Sequence, residues 1–224
     1  MKKEKNNKKS QIKAIIFDVG GVLALEKDPI RARGRTKGVH EEISKKLGVS
    51  LDRWVDNIGE NNIGEIYKKA IIGKISEKKF LSFISKTFSK PPLFIKNIFL
   101  RAYKTHFKQN TALYYFAFEL KKKGYVIAIL SDQFPISQQI VMPKNKIRHF
   151  NPVIVSCEEG VRKPNPKIYK LMLQKLNFRP KEIVFIDNQE WNLTQARKLG
   201  IHTILFKNNK QIFRDLRKLG VEIK

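Results

Sequence analysis

Hydrophobic residues along the chain follow two rhythms. Ile12 to Phe17 is a short, mostly apolar run that ends at Asp18-Val19-Gly20-Gly21, the pattern of a strand buried on both faces. From about Ala24 to Gln109 the apolar positions recur at helical spacing throughout. Val39 to Leu47 is one such set, closed by Gly48, and Ile63 to Ile72 is a second, closed by Gly73. Ser76 to Phe88 is a third, with Ser76 as its N-cap and Phe80, Phe83, Ile84 and Phe88 on one stripe. Pro91-Pro92 interrupts it, and helix resumes over Leu93 to Phe107.

After Asn110 the rhythm becomes alternation. A helix over Thr111 to Lys123 stops at Gly124, and the strand Tyr125 to Leu130 leads into Ser131-Asp132. Helix Pro135 to Val141 precedes a short strand, Pro152 to Ser156. Helix Pro166 to Leu176 precedes strand Ile183 to Ile186, which ends at Asp187. Helix Asn192 to Leu199 closes at Gly200, strand His202 to Phe206 follows, and Ile212 to Leu219 is the last helix. Short apolar strands alternating with helices specify a parallel sheet covered on both faces. The expected fold class is α/β, with a doubly wound, Rossmann-like core over 11–24 and 110–224. An α-helical cap is inserted over 25–109, and 1–10 is a disordered basic tail.

Composition narrows the class. Of 224 residues, 42% are hydrophobic and 29% charged, enough apolar side chain for a sizeable core, so disorder over the whole length is excluded. One cysteine, Cys157, rules out an intrachain disulfide framework and a Cys-cluster zinc site, and reads as a small core residue. No apolar run reaches the roughly 18 residues of a membrane span. Ala14 to Leu25 contains Asp18 and lacks a small-residue cleavage pattern, so it fails as a signal peptide, and a cytoplasmic location is expected. Forty-six basic against twenty acidic residues give a net charge of +26. Lys, Ile and Asn are abundant together, as an AT-rich genome would make them, and that reading is favoured over a nucleic-acid partner. The charge is dispersed and not interleaved with stacking aromatics, whereas small phosphorylated substrates suit such a field in either case.

Ligands of open parallel α/β sheets bind at the carboxyl ends of the strands. The polar residues standing there are Asp18, Ser131 and Asp187, with Lys163 in a loop before a helix. Close carboxylates share a proton or hold a hard cation such as Mg²⁺, and a lysine and a hydroxyl suit an anionic phosphoryl group.

At these residues the chain resembles the haloacid dehalogenase-like (HAD) hydrolase superfamily, from Ile12 nearly to the C-terminus. The resemblance rests on Phe17-Asp18-Val19-Gly20-Gly21-Val22-Leu23, Ala128-Ile129-Leu130-Ser131, Gly160-Val161-Arg162-Lys163-Pro164-Asn165-Pro166 and Val184-Phe185-Ile186-Asp187-Asn188, in that order. The helical insert between the first two motifs is similar to that of the subfamily with an α-helical cap. The resemblance implies an Mg²⁺-dependent phosphatase of small phosphomonoesters, such as a sugar phosphate or a nucleotide. Asp18 is then the nucleophile that forms an aspartyl-phosphate. Ser131, Asp132 and Lys163 bind the phosphate, with Ser131 and Lys163 catalytic beside Asp18. Asp18, the main-chain carbonyl of Gly20 and Asp187 hold the metal.

One departure bears on activity. Most phosphatases of the family carry a second Asp, the general acid/base, where this chain has Gly20. Losing such a group costs typically ~10²–10⁴-fold. Three readings follow: a phosphatase restricted in its leaving groups or using an acid from the cap, a dehalogenase-type hydrolase, or a catalytically silent binding protein, with RNA as one partner. Asp187 weighs against the second, whose members need no metal ligand there, and a Gly-Gly first motif resembles capped phosphatases. Phosphatase therefore leads.

Other residues carry less. Asp132 is open to two roles, lining the site or capping the next helix. His40, His106, His149 and His202 lack metal-ligand spacing. Arg31 to Lys37 is a basic run opening the cap, either solvated or a clamp on a phosphate or RNA. Phe80, Phe83, Phe88, Phe94 and Phe99 are read as cap core.

Overall fold

A computed structural model of the chain describes residues 12–27, 31–32, 35–52, 54 and 63–222, those at 31–32, 35–37 and 63–64 by their backbone alone. The tail Met1 to Ser10 and the side chains of Arg31 to Lys37 lie outside the described residues. The first half runs β1 (Ala14–Phe17), β2 (Ala24–Glu26), β3 (Arg31–Ala32), β4 (Arg35–Thr36), α1 (Lys37–Leu47), α2 (Ile63–Ile71), α3 (Glu77–Phe88), α4 (Pro92–His106) and β5 (Phe107–Gln109). It continues with α5 (Thr111–Lys122), β6 (Val126–Ser131), α6 (Pro135–Val141), α7 (Lys144–Ile147), β7 (Val153–Val155) and α8 (Ser156–Glu159). The last third holds α9 (Pro166–Leu176), a 3-10 turn (Pro180–Glu182), β8 (Ile183–Asp187), α10 (Glu190–Lys198), β9 (His202–Leu205) and α11 (Asn209–Lys218).

Five strands form one sheet in the order β7-β6-β1-β8-β9, and every pairing in it is parallel. Successive residues of a strand point to opposite faces, which divides the apolar runs between two cores. Ile15, Phe17, Ile127, Ile129, Val184 and Ile186 join one; Ala14, Ile16, Ala128, Leu130 and Phe185 join the other, beneath Ile168 and Met172 of α9. Both faces are covered, as the near-continuous apolar runs required. β1 lies at the centre, with Phe17 level with Ile129 on one side and Ile186 on the other. One residue further, that register brings Asp18 level with Leu130 and Asp187. The residues after the apolar runs therefore converge at one sheet edge.

The stretch Ala24 to Gln109 is not helical throughout. β2 and β5 pair antiparallel, Ala24 with Gln109 and Glu26 with Phe107, and β3 pairs with β4. Strands this short show no periodicity, and β2 finds its partner only after the whole helical segment has intervened. The same brevity hides α7, α8 and the 3-10 turn, and it moves Ser156 from the end of a strand to the start of α8. Ser76 caps α3 as expected, accepting from Lys79 N at 3.2 Å. Within the insert Phe80 meets Phe99 edge to face at 5.6 Å, and Phe134, just before α6, packs on Phe80 at 4.6 Å. Phe80 and Phe99 are buried and Phe83 and Phe88 half-buried, but Phe94 is 42% exposed beside exposed Leu93. Phe94 is therefore no part of the cap core: helical spacing places it one position ahead of the buried stripe of Ile95, Ile98 and Phe99.

Candidate active site

The strand ends deliver their side chains to a cavity of about 410 Å³ that opens between the sheet edge and the helical insert. Asp18, Gly20, Asp132 and Lys163 line it from the sheet side, and Val39, His40, Tyr67 and Tyr103 from the insert. Ser131 and Asp187 are fully buried and sit behind that wall.

Lys163 Nζ lies 2.9 Å from Asp18 Oδ1 and 2.7 Å from Asp187 Oδ2. The remaining partners divide the work of each carboxylate. Asp18 Oδ1 also accepts from Val19 N at 2.7 Å, whereas Oδ2 carries no hydrogen bond among the described residues. Asp187 Oδ1 accepts from Gln189 N at 2.7 Å, and Oδ2 also from Asn192 Nδ2 at 3.0 Å. Both oxygens of Asp187 thus carry donors, whereas Asp18 keeps one oxygen for the cavity. Burial pushes the Asp18 carboxyl up to about 7, opposed by the Lys163 ammonium and reinforced by Asp187. For Lys163 burial alone would lower the pKa, but Asp18, Asp187 and Asp132 together hold it raised, so it stays charged.

The adjacent glycines differ. Gly21 has φ +84°, and a Cβ there would fall 2.0 Å from Asn188 Nδ2, so only glycine lets the first loop close against the end of β8. A Cβ on Gly20 would meet nothing nearer than Gln133 Nε2, at 4.0 Å. The missing side chain at position 20 leaves room rather than relieving a clash.

Asp132 takes neither of the two roles alone. It lines the cavity, but Oδ1 accepts from Lys163 N at 3.0 Å and Oδ2 faces Arg162 Nε at 3.4 Å, while Phe134 holds the cap position of α6. Its side chain anchors the loop that presents Lys163, so a phosphate contact from this residue would come from its main chain. Burial raises its pKa against the pull of Lys163 and Arg162. Cys157 is half-buried and its thiol is pushed up to about 11 by burial, which suits a packing residue and not a nucleophile.

Three cavity residues had no usable signal in the sequence. His40 is buried, and its Nδ1 accepts from Trp54 Nε1 at 2.9 Å, which leaves the ring proton on Nε2 of a neutral imidazole. Tyr67 and Tyr103 place their hydroxyls 3.4 Å apart. All three come from separate helices, and no local spacing announces them.

The donor set fits a hard divalent cation. Asp18 and Asp187 converge on one point, and burial leaves their charge undercompensated by a single lysine. Asn188 Oδ1 and Asn192 Oδ1, next to them, are buried oxygens without a hydrogen-bond partner among the described residues. Among the described residues no group of three or more His, Cys, Asp or Glu is placed to hold a metal. A cation here would take the two carboxylates and the Gly20 carbonyl and complete its shell with water and substrate, as Mg²⁺ commonly does.

The family model described as haloacid dehalogenase-like hydrolase matches residues 12–200. A bifunctional epoxide hydrolase 2 from Sus scrofa is 30% identical over 228 residues, 95% of this chain but 40% of that protein. The chain thus spans about two fifths of the length of this relative. A glyceraldehyde 3-phosphate phosphatase from Pyrococcus furiosus is 34% identical over 99 residues, 43% of this chain and 41% of that one. A HAD family enzyme from Bacteroides thetaiotaomicron, crystallised as its magnesium complex, is similar with a TM-score of 0.70 and 26% identity, over 91% of this chain and 98% of that one. With three strand-end motifs and the Lys163 loop brought together at one cavity and its wall, the chain belongs to the haloacid dehalogenase-like hydrolases.

Proposed function

We propose that the protein hydrolyses a small phosphomonoester through an aspartyl-phosphate on Asp18. One observation carries the reading: Asp18 offers a cavity-facing carboxylate whose Oδ2 has no hydrogen bond among the described residues, while Oδ1 is tied to Lys163 and Val19 N. Oδ2 attacks phosphorus as the bond to the leaving oxygen breaks with its electron pair, and water then cleaves the acyl phosphate to restore Asp18. Lys163 opposes the rise in the Asp18 pKa and stabilises charge on the transferring group. Ser131 supplies a hydroxyl from behind the wall. Asp18, the Gly20 carbonyl and Asp187 would hold Mg²⁺, which when bound neutralises charge between an anionic nucleophile and an anionic phosphate. Residues 25–109 act as a cap that excludes water and selects the substrate. The magnesium complex of the Bacteroides enzyme and the phosphatase named among the relatives support this reading. The presence of an acid, Asp187, at the end of β8 weighs against a dehalogenase, which needs no metal ligand there.

The test is phosphate release from sugar phosphates, nucleotides and an aryl phosphate, with Mg²⁺ and with a chelator, for wild type and Asp18→Asn. Metal-dependent release that vanishes in Asp18→Asn is expected. Release that survives the substitution would sink the proposal.

A further inference from the structure

A phosphoester's leaving oxygen gains negative charge as its bond to phosphorus breaks, and a donor aimed at it lowers the barrier. Three of the cavity's side-chain donors are already committed. Lys163 Nζ serves two carboxylates, Arg162 Nε faces Asp132, and Asn192 Nδ2 bonds Asp187. Gln133 is different. It is 6% exposed and lines the cavity, and its Nε2 lies 4.0 Å from where a Cβ on Gly20 would stand. A carboxyl group on that Cβ would span most of this gap, so the amide occupies the neighbourhood a side chain at position 20 would reach.

The amide is held from several sides. Its Oε1 lies 2.9 Å from Ser137 Oγ, whose one hydrogen is shared with Phe134 O at 2.8 Å, and its main-chain N–H donates to Ser156 Oγ at 3.1 Å. Ser156 Oγ in turn donates to Ile71 O at 2.7 Å, at the end of a cap helix. With Oε1 directed at Ser137, Nε2 turns to Ser131 Oγ, to which it donates at 2.9 Å. An amide nitrogen has two hydrogens, and the second has no acceptor among the described residues.

We infer that Gln133 is a catalytic residue of the phosphatase proposed above: from the space beside Gly20, its Nε2 donates this second hydrogen to the leaving-group oxygen. The inference rests on that phosphatase reading. A neutral amide stabilises charge on that oxygen but transfers no proton, so its effect should grow as the leaving group becomes more basic.

The experiment is a leaving-group series, from aryl to alkyl phosphates, for wild type, Gln133→Met and Gln133→Glu with Mg²⁺, with thermal unfolding of each protein in parallel. Gln133→Met should lower kcat roughly 10²-fold on alkyl phosphates and far less on activated aryl phosphates, the size seen when one such donor is removed. Gln133→Glu, which places a titrating carboxyl at the same spot, should add a pH limb to kcat on alkyl phosphates. An equal loss across the series would overturn the inference, because it would mean that Gln133 acts through Ser131 on the phosphoryl oxygens. An unchanged kcat would overturn it too. If Gln133→Met does not fold, Gln133→Asn withdraws the amide by one methylene and is read by the same criterion. A wild type that turns over no phosphate ester removes the phosphatase reading itself, and the inference with it.

Discussion

The sheet-side wall of the cavity, with Asp18, Asp132 and Lys163, is polar and tied by hydrogen bonds to strand ends whose register is set by a ladder. The insert-side wall, with Val39, Tyr67 and Tyr103, rests on interdigitated rings, Phe80, Phe99 and Phe134 foremost. The first kind of support fixes atoms, because a hydrogen bond weakens steeply outside a narrow range of length and angle. The second fixes volume, because rings of similar size fill a space in more than one way. Chemistry that a whole family shares suits the first wall, and a substrate preference that differs between relatives suits the second.

The comparison breaks most visibly at Lys163. Lys163→Met removes the one cation between two buried carboxylates, and loss of a partner from a buried ion pair costs about 3–5 kcal/mol. Denaturant unfolding in chelator should register that loss, and turnover should disappear with it. If added Mg²⁺ restored stability but not turnover, the structural and catalytic parts of the lysine would be separated.

Gly20→Asp should gain function, since its Cβ would meet nothing nearer than Gln133 Nε2 at 4.0 Å and that amide could hydrogen-bond the new carboxyl. Turnover of alkyl phosphates should rise roughly 10- to 100-fold, a fraction of the ~10²–10⁴ that a well-placed acid/base supplies. Gly21→Ala should instead lose stability and activity, because the new Cβ would strike Asn188 at a positive φ. Similar behaviour of the two variants in thermal unfolding would contradict the distinction between the glycines.

On the other wall, Phe80→Ala should cost about 3–5 kcal/mol if its cavity fails to collapse. It should change KM ratios among substrates more than it changes kcat on an aryl phosphate. The smallest effect concerns the far end of the sheet. Glu182 is held down to about 2 by hydrogen bonds from Arg179 and Lys13, against an ordinary 4.5. A depressed carboxylate stabilises the fold above its unfolded pKa, and that contribution fades as pH falls from about 4.5 towards about 2. Thermal midpoints of Glu182→Gln should therefore fall less steeply than the wild type's across that window.

Much of the first wall was legible in the sequence and little of the second. Asp18, Ser131 and Asp187 each follow an apolar run, and in a parallel sheet the ends of such runs must meet, so position along the chain was enough. Lys163 was marked only as a cation in a loop before a helix, and the family resemblance gave it a place among the motifs. Gln133 stands two residues beyond Ser131 but has no partner pattern in the sequence: its importance appears only once Gly20, Ser137 and Ser156 are seen around it. His40, Tyr67 and Tyr103 were less accessible still, because helical period says which face of a helix is buried and not which helix it meets. The two-residue and three-residue strands escaped for want of length.

The antiparallel pairing of β2 with β5 has a consequence for how such a chain can diversify. The segment between them leaves and returns at cross-strand neighbours, Glu26 and Phe107. A replacement of quite different length could be spliced across that junction with little change in closure entropy, which grows only slowly with loop length. The sheet would be undisturbed, and Asp18 and Asp187 would keep their register. Substrate choice could then be exchanged as a cassette while the hydrolytic machinery stayed in place.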